Sequence, residues 1–386
     1  MNILLIGEYS RLHNSLKEGL QALGHTVVHL GFQDGFKHYP VELALEKKWD
    51  QGWRKKCKVA LFKLSGFDIS SHLTYRQFVK LQSQCQDFDV VQLINENSFY
   101  CQPKTEQKIL SYLFAHNKKV FLLSCGDDFI NVHYCFANPS YKSAAQPYLA
   151  GKISDKMFNG VLKFKQQNFK ELHDYLYQHI QGVIATDMDY HLPLLGHSKY
   201  LGLHPNPVNI DKLVFQPPEI KDKICIFLGI NTLSYYKKGL DVFEAALALI
   251  KQKYPEQVEI CVTTNLPYAE YITHYDKAHI ILDQAYAHDQ GYNALESMAK
   301  GKVVFTGAEP EFLQHYQLTE AVNCNATANV DQLVEAISYL IEHPAELIAI
   351  GARARKFIEK EHHYQQIAGR YLATWQNTTR NLFVGN

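Results

Sequence analysis

No apolar run in this chain reaches the roughly 18 residues that cross a bilayer. The longest candidates, Val120–Leu123 and Ile224–Ile230, are strand-sized. A secretory leader is not expected either, because Ile3–Ile6 is short and no basic residue precedes it. Cysteines at zinc or redox spacing are missing. The eight Cys, at 57, 85, 101, 125, 135, 225, 261 and 324, form no CxxC, and several sit in apolar runs. Buried, reduced thiols in a cytoplasmic protein are expected. Net charge is absent as well, with 39 Lys+Arg against 39 Asp+Glu, which argues against a nucleic-acid partner. Gly7-Glu8-Tyr9-Ser10-Arg11 lacks the GxGxxG pattern, which argues against a nicotinamide dehydrogenase. No short-period repeat exists, so the chain is not a solenoid.

What is present is an ordinary globular composition over 386 residues, 46% hydrophobic and 20% charged, long enough for two domains. Aromatics are plentiful, with 24 Tyr and 21 Phe. Residues 1–205 carry 23 basic and 18 acidic residues, and 206–386 carry 16 and 21, so the halves have opposite sign.

The pattern predicts strand Asn2–Ile6, a Gly-led loop, helix Leu12–Leu23 with Leu12, Leu16, Leu20 and Leu23 on one face, and strand Thr26–Leu30. Strand Asp89–Ile94, helix Thr105–His116, strands Lys119–Leu123, Gly182–Thr186 and Tyr200–Leu203 follow. His204-Pro205-Asn206-Pro207-Val208 reads as a linker. Alternation then restarts: strand Lys223–Leu228, helix Gly239–Lys251, strand Val258–Thr263, a helix around Tyr268–Tyr275, strand His279–Leu282, helix Gly291–Ala299 and strand Lys302–Thr306. Helices over 329–342 and 345–376 finish the chain. The fold class expected is α/β, two doubly wound parallel-sheet domains facing a cleft, with ligands beyond the carboxyl ends of the strands. The boundaries are 1–204, 205–360, and a C-terminal helix over 361–386 that can pack back on the first domain.

Two loops carry chemistry. In Leu282–Val304 a strand delivers a loop and a helix opens at Gly291, with Tyr292, Asn293 and Glu296 in its first turns. Free N–H groups at a helix start suit a phosphate. Glu296 can accept hydrogen bonds from two vicinal ribose hydroxyls, or can be a solvated helix residue. In Gly229–Gly239, Lys237 and Lys238 stand at the mouth of the next helix, where a diphosphate can meet ammonium and backbone N–H together. A solvated lysine pair is the alternative.

Lys238-Gly239 and Gly291–Val304 resemble the signatures of glycosyltransferase family four, a GT-B family, with further likeness in Gly7–His25, Gly126-Asp127-Asp128 and Pro205-Asn206. The resemblance implies a hexosyltransferase-type enzyme of a bacterial polysaccharide pathway, retaining and without a metal cofactor. It would use a nucleotide-sugar donor and a glycan, lipid-linked or small-molecule acceptor. Glu296 would hold the donor ribose and Lys238 the diphosphate. Gly7 would let the backbone approach the donor, and Glu311 would lie near the sugar or nucleotide. The family's arginine, about six positions before Lys238, is missing: Thr232 occupies its position with Asn231 beside it, and Lys237 would supply the charge. His288 replaces the first Glu of the family's E-x7-E pair, and Cys125 with Ser124 stand where many members carry a catalytic His.

Three features stay open. His13 can face the cleft as a catalytic group or be a solvated helix residue. Asp127 and Asp128 sit at a strand end that points at the cleft, Asp128 being the catalytic expectation, and either can be a helix cap. Asp187-Met188-Asp189 has the DxD form of a metal site, though surface carboxylates are favoured. Residues 45–64 interleave Lys and Arg with Trp49 and Trp53. That suits peripheral contact with the inner face of a membrane, while a solvated helix with both Trp in the core is the slightly preferred reading. The competing functions are a nucleotide-sugar epimerase of the same architecture and a catalytically silent sugar- or nucleotide-binding protein.

Overall fold

A computed structural model describes residues 1–32 and 40–378. Seven strands form the first sheet: β1 (Asn2–Ile6), β2 (Thr26–Phe32), β3 (Leu43–Leu45), β4 (Val90–Leu93), β5 (Val120–Ser124), β6 (Gly182–Ala185) and β7 (Tyr200–Leu203), in the order 3-2-1-4-5-6-7. Five form the second: β8 (Ile224–Ile230), β9 (Val258–Thr264), β10 (Ile280–Leu282), β11 (Val303–Thr306) and β12 (Cys324–Asn325), in the order 12-11-10-8-9. Every pairing is parallel. A parallel strand is covered on both faces, so it reads as a continuous apolar run. Ile3, Leu4, Leu5 and Ile6 are all fully buried for this reason.

Strand order reverses between β1 and β4 in the first sheet and between β8 and β10 in the second. Such reversals open a crevice at the carboxyl ends. Gly7 leaves β1 at φ 86, and its carbonyl oxygen meets His13 Nδ1 at 2.7 Å and His29 Nε2 at 2.9 Å.

The chain crosses between domains twice, and the crossings are clipped together. The Val208 N–H donates to the His362 carbonyl at 2.7 Å, and the Tyr364 N–H to the Val208 carbonyl at 3.2 Å. The expected helix over 345–376 is two helices, Pro344–Glu361 and Tyr364–Asn377, broken at this crossing. The last one lies on the first domain. Ile367, Ala368, Tyr371, Leu372 and Trp375 form one core with Ile3, Leu5, Leu12, Leu16, Phe121 and Ile184. Close approach needs Gly19, where a Cβ would stand 2.4 Å from the Tyr364 carbonyl oxygen.

Candidate active site

The larger cavity lies where strand order reverses in the second sheet, about 620 Å³, beyond the ends of β8, β9 and β10. Asn231, Ser234, Lys238, Asp283 and Asn293 line it, and Ser10 reaches it from the first domain. Asn231 shapes the loop after β8 by accepting the Leu233 N–H at 3.0 Å, which starts a short 3₁₀ turn over Thr232–Ser234. Gly239 then turns the chain at φ 70 into helix Leu240–Lys253, and a Cβ there would stand 2.9 Å from Ala285. This fixes Lys238, whose Nζ lies 2.9 Å from Asp283 Oδ1 at the end of β10. Asp283 is buried while Lys238 stays partly open. An ammonium has three donors, so the pair aims the lysine and leaves capacity for an anion.

The smaller cavity, about 340 Å³, lies between the domains. Asp127, Asp187, Asp189 and Tyr190 line it from the first domain, and Lys237, Lys238, Gln290 and Gly291 from the second. Lys237 sits 4.9 Å over the Phe158 ring and 3.9 Å from Asp127. Ser234 and Lys238 border both cavities, so Lys238 stands at their junction.

Glu296 is buried at 9% exposure inside helix Tyr292–Ala299, so it is not a solvated helix residue. Its Oε1 lies 4.0 Å from Arg11 of the first domain, which also stands 3.6 Å from Glu18. Ser10 and Arg11 hold left-handed conformations, φ 52 and 80, uncommon for residues with a Cβ. The first loop thus reaches the second domain through two unusual backbone positions.

Several expected residues lie elsewhere. His13 is fully buried, and burial with His29 nearby holds its pKa well below the ordinary value. It is neither solvated nor open to the cleft. Gly7 borders neither cavity and makes room for Ile94, just past β4, whose Cγ2 would stand 2.2 Å from a Cβ there. Asp128 caps helix Phe129–Ala137, accepting the Asn131 N–H at 2.7 Å and the Ser124 hydroxyl. Burial, reinforced by Glu96, pushes its pKa up to about 7. Its neighbour Asp127 is the one that lines the cavity. Tyr292 is buried, and its hydroxyl donates to the Pro207 carbonyl, tying the helix to the linker. Glu311 borders neither cavity and stands 3.7 Å from His288 Nδ1.

The Asp187-Met188-Asp189 triplet is not a surface feature. Both Asp189 oxygens accept the His288 N–H across the domain boundary, at 3.0 and 3.3 Å, and Asp289 Oδ2 accepts the Met188 N–H at 3.2 Å. Burial, then Asp189 and Asp289, raises the Asp187 pKa well above normal. Burial lifts Asp189 to about 6 and Asp289 to about 7. Among the described residues no group of three or more His, Cys, Asp or Glu is placed to hold a metal ion.

Asp283, Asp289, Ser10, Arg11 and Lys142 escaped sequence reasoning. Asp283 had a signal, since it directly follows a strand that ends at the cleft. Lys142 had none. It bridges the domains by donating to Glu309 at 2.6 Å, the Ala326 carbonyl at 2.6 Å and Asn325 at 3.1 Å. Beside it, Tyr141 stacks on His288 with ring centroids 4.3 Å apart.

Residues 238–373 match the family model described as Glycosyl transferase-like. The matched stretch begins at Lys238 and contains Glu296. No curated protein sequence matches the chain. Sucrose-phosphate synthase from Thermosynechococcus elongatus superposes at a TM-score of 0.62 and 14% identity, covering 97% of this chain and 98% of that one. The HepE protein of Anabaena, solved with UDP and glucose, superposes at 0.59 and 12%, covering 97% and 99%. The UDP-GlcNAc 2-epimerase of Neisseria meningitidis, solved with UDP-GlcNAc, superposes at 0.52 and 13%, covering 97% and 100%. The fold is GT-B. At these identities the likeness carries the fold alone. The two GT-B sheets face each other across the cavities described above.

Proposed function

We propose that this protein is a glycosyltransferase that moves a sugar from a nucleotide-diphosphate-sugar to an acceptor hydroxyl. The observation that carries the reading is Lys238, held by Asp283 at the junction of two cavities. A diphosphate at that junction meets the Lys238 ammonium, the Lys237 ammonium and the amino end of helix Tyr292–Ala299. The larger cavity then takes the nucleoside and the smaller one takes the sugar and acceptor.

In transfer, the bond between the anomeric carbon and the diphosphate oxygen breaks. Lys238, Lys237 and the helix end stabilise the charge that develops on the leaving group. The acceptor oxygen forms the new bond, and its proton passes to the departing diphosphate oxygen. Asp127, at the cavity wall beside Lys237, is placed near that proton's path. Lys142 and Asp189 hold the domains together around the reacting groups, which keeps water from competing with the acceptor. Retention of configuration, hexosyl transfer, independence of a metal ion and a cytoplasmic, bacterial glycan pathway belong to this reading through the family resemblance. The acceptor is a glycan, free or lipid-linked, or a small molecule.

The test is thermal stabilisation by UDP, GDP, ADP and CMP, each with and without magnesium, on wild type and Glu296→Ala. A ligand at 100 times its dissociation constant stabilises by about 2.7 kcal/mol. One nucleotide should stabilise the wild type without magnesium and should fail on the variant. Absence of any shift would remove the donor site. Product formation that depends on an added acceptor separates transfer from epimerisation, and binding without turnover would point to a silent binding protein.

A further inference from the structure

The helix Gly52–Ser65 is fourteen residues long and buries none of them. Helices of this length are marginal in water unless a face is covered. Trp53, Cys57, Ala60, Leu61 and Leu64 recur at the spacings of one helical face. Trp53 is 66% exposed and Leu64 88% exposed. The expectation that Trp53 lies in the core is therefore overturned. At 100° per residue, Arg54 and Lys58 flank the apolar stripe on one side, and Lys56 and Lys63 on the other. No acidic residue occurs between Gln51 and Phe67. Among the described residues, Lys55, Lys56 and Lys63 have no acidic partner, and Lys58 pairs with Asp50 at 3.4 Å. Phe67, just past the helix, is exposed as well.

We propose that this helix docks the first domain on an anionic lipid bilayer. An apolar stripe carrying Trp and bordered on both sides by cations matches the acyl boundary and the phosphate layer of such a surface. A second copy is disfavoured because it would oppose the same positive charge. A nucleic acid would meet the cations and leave the stripe uncovered. The position also fits. The segment follows the carboxyl end of β3, the edge of the sheet whose β1 and β5 carboxyl ends lead to Ser10 and Asp127 at the two cavities. A docked protein would therefore hold the acceptor side of its cleft near the membrane. That last consequence rests on the transferase reading; the docking does not.

Flotation of the full chain with vesicles of phosphatidylcholine, with and without phosphatidylglycerol, tests the proposal. The wild type should partition to the vesicles containing phosphatidylglycerol and lose that partition in high salt. The double variant Lys56→Glu/Lys63→Glu, which reverses the charge along one border of the stripe, should bind at least about 10-fold more weakly. Trp53→Ser/Leu64→Ser should weaken binding by about 10-fold or more, through lost apolar burial. All four positions are exposed, so the variants should keep the wild-type melting temperature. No partition, equal partition to neutral vesicles, or undiminished binding by the charge-reversed variant would overturn the proposal. Nucleotide stabilisation on the same preparations reports the donor site separately. Stabilisation without flotation overturns docking alone, and flotation without stabilisation overturns the transferase reading alone.

Discussion

Asp127 and Asp128 are adjacent and have different work. Asp128 spends both oxygens inside the protein, on the Asn131 N–H and the Ser124 hydroxyl, while Asp127 faces the cavity. The sequence shows two acidic residues at a strand end and cannot show which one the next helix takes as its cap. Asp128→Ala should lower stability by about 0.5–2 kcal/mol in urea unfolding, the range for a lost cap. Asp127→Ala should leave the urea midpoint nearly unchanged and slow transfer. The reverse pattern would exchange their roles. Asp289 makes a second residue-scale prediction. Burial raises its folded pKa from 3.8 to about 7, so the folded state binds the proton more tightly than the unfolded chain does. Its contribution to stability is full below the ordinary value and is lost as pH rises through about 7. Asp289→Asn should remove that decline. Denaturation midpoints for both proteins between acid and neutral pH check it, and parallel curves would contradict it. Lys238 was legible as a cavity residue because the lysine–glycine pair follows a strand end, whereas Glu296, which the sequence also singles out, lines neither cavity. Arg11 was not legible, because its approach to Glu296 depends on two left-handed residues that no local pattern announces.

At the scale of elements, apolar runs located the long strands and the helices beside them. The shortest strands escaped. β3 has three residues and β12 has two, too few for any periodicity. Their place is set by the neighbours they pair with, Leu30–Phe32 and Phe305–Thr306. The helix over 52–65 was legible as a helix but its orientation was not, since its apolar face turns outward instead of into the core. The final helix is the element whose partner matters most. Trp375 is fully buried on the first domain, and its Nε1 donates to Gln92 at 3.1 Å. Trp375→Ala should cost about 3–5 kcal/mol, the range for a buried aromatic. Chemical unfolding followed by far-ultraviolet circular dichroism measures it. A loss below about 1 kcal/mol would mean that the helix does not hold the first domain's core.

Across the whole molecule, two doubly wound sheets put their reversal points at one cleft, and the chain closes it from several sides. The clipped crossings at Val208 and His362 join the domains on one flank. Lys142 on Glu309, Lys152 on Asp241 and Asp189 on the His288 N–H bridge them elsewhere. The alternation of strands and helices on either side of the linker made the cleft predictable, whereas these bridges arise from side chains far apart in sequence and became visible only in three dimensions. Their common effect is to hold Ser10 of one domain beside the cavity of the other, with Lys238 between the two cavities. That junction is the centre of the account, and calorimetric titration of UDP, GDP, ADP and CMP onto wild type and Lys238→Ala addresses it most directly. The wild type should bind a nucleoside diphosphate at one site. The variant should bind it about 10- to 100-fold more weakly, the worth of a charge-assisted hydrogen bond. Equal binding by the two proteins, or no binding by the wild type, would contradict it.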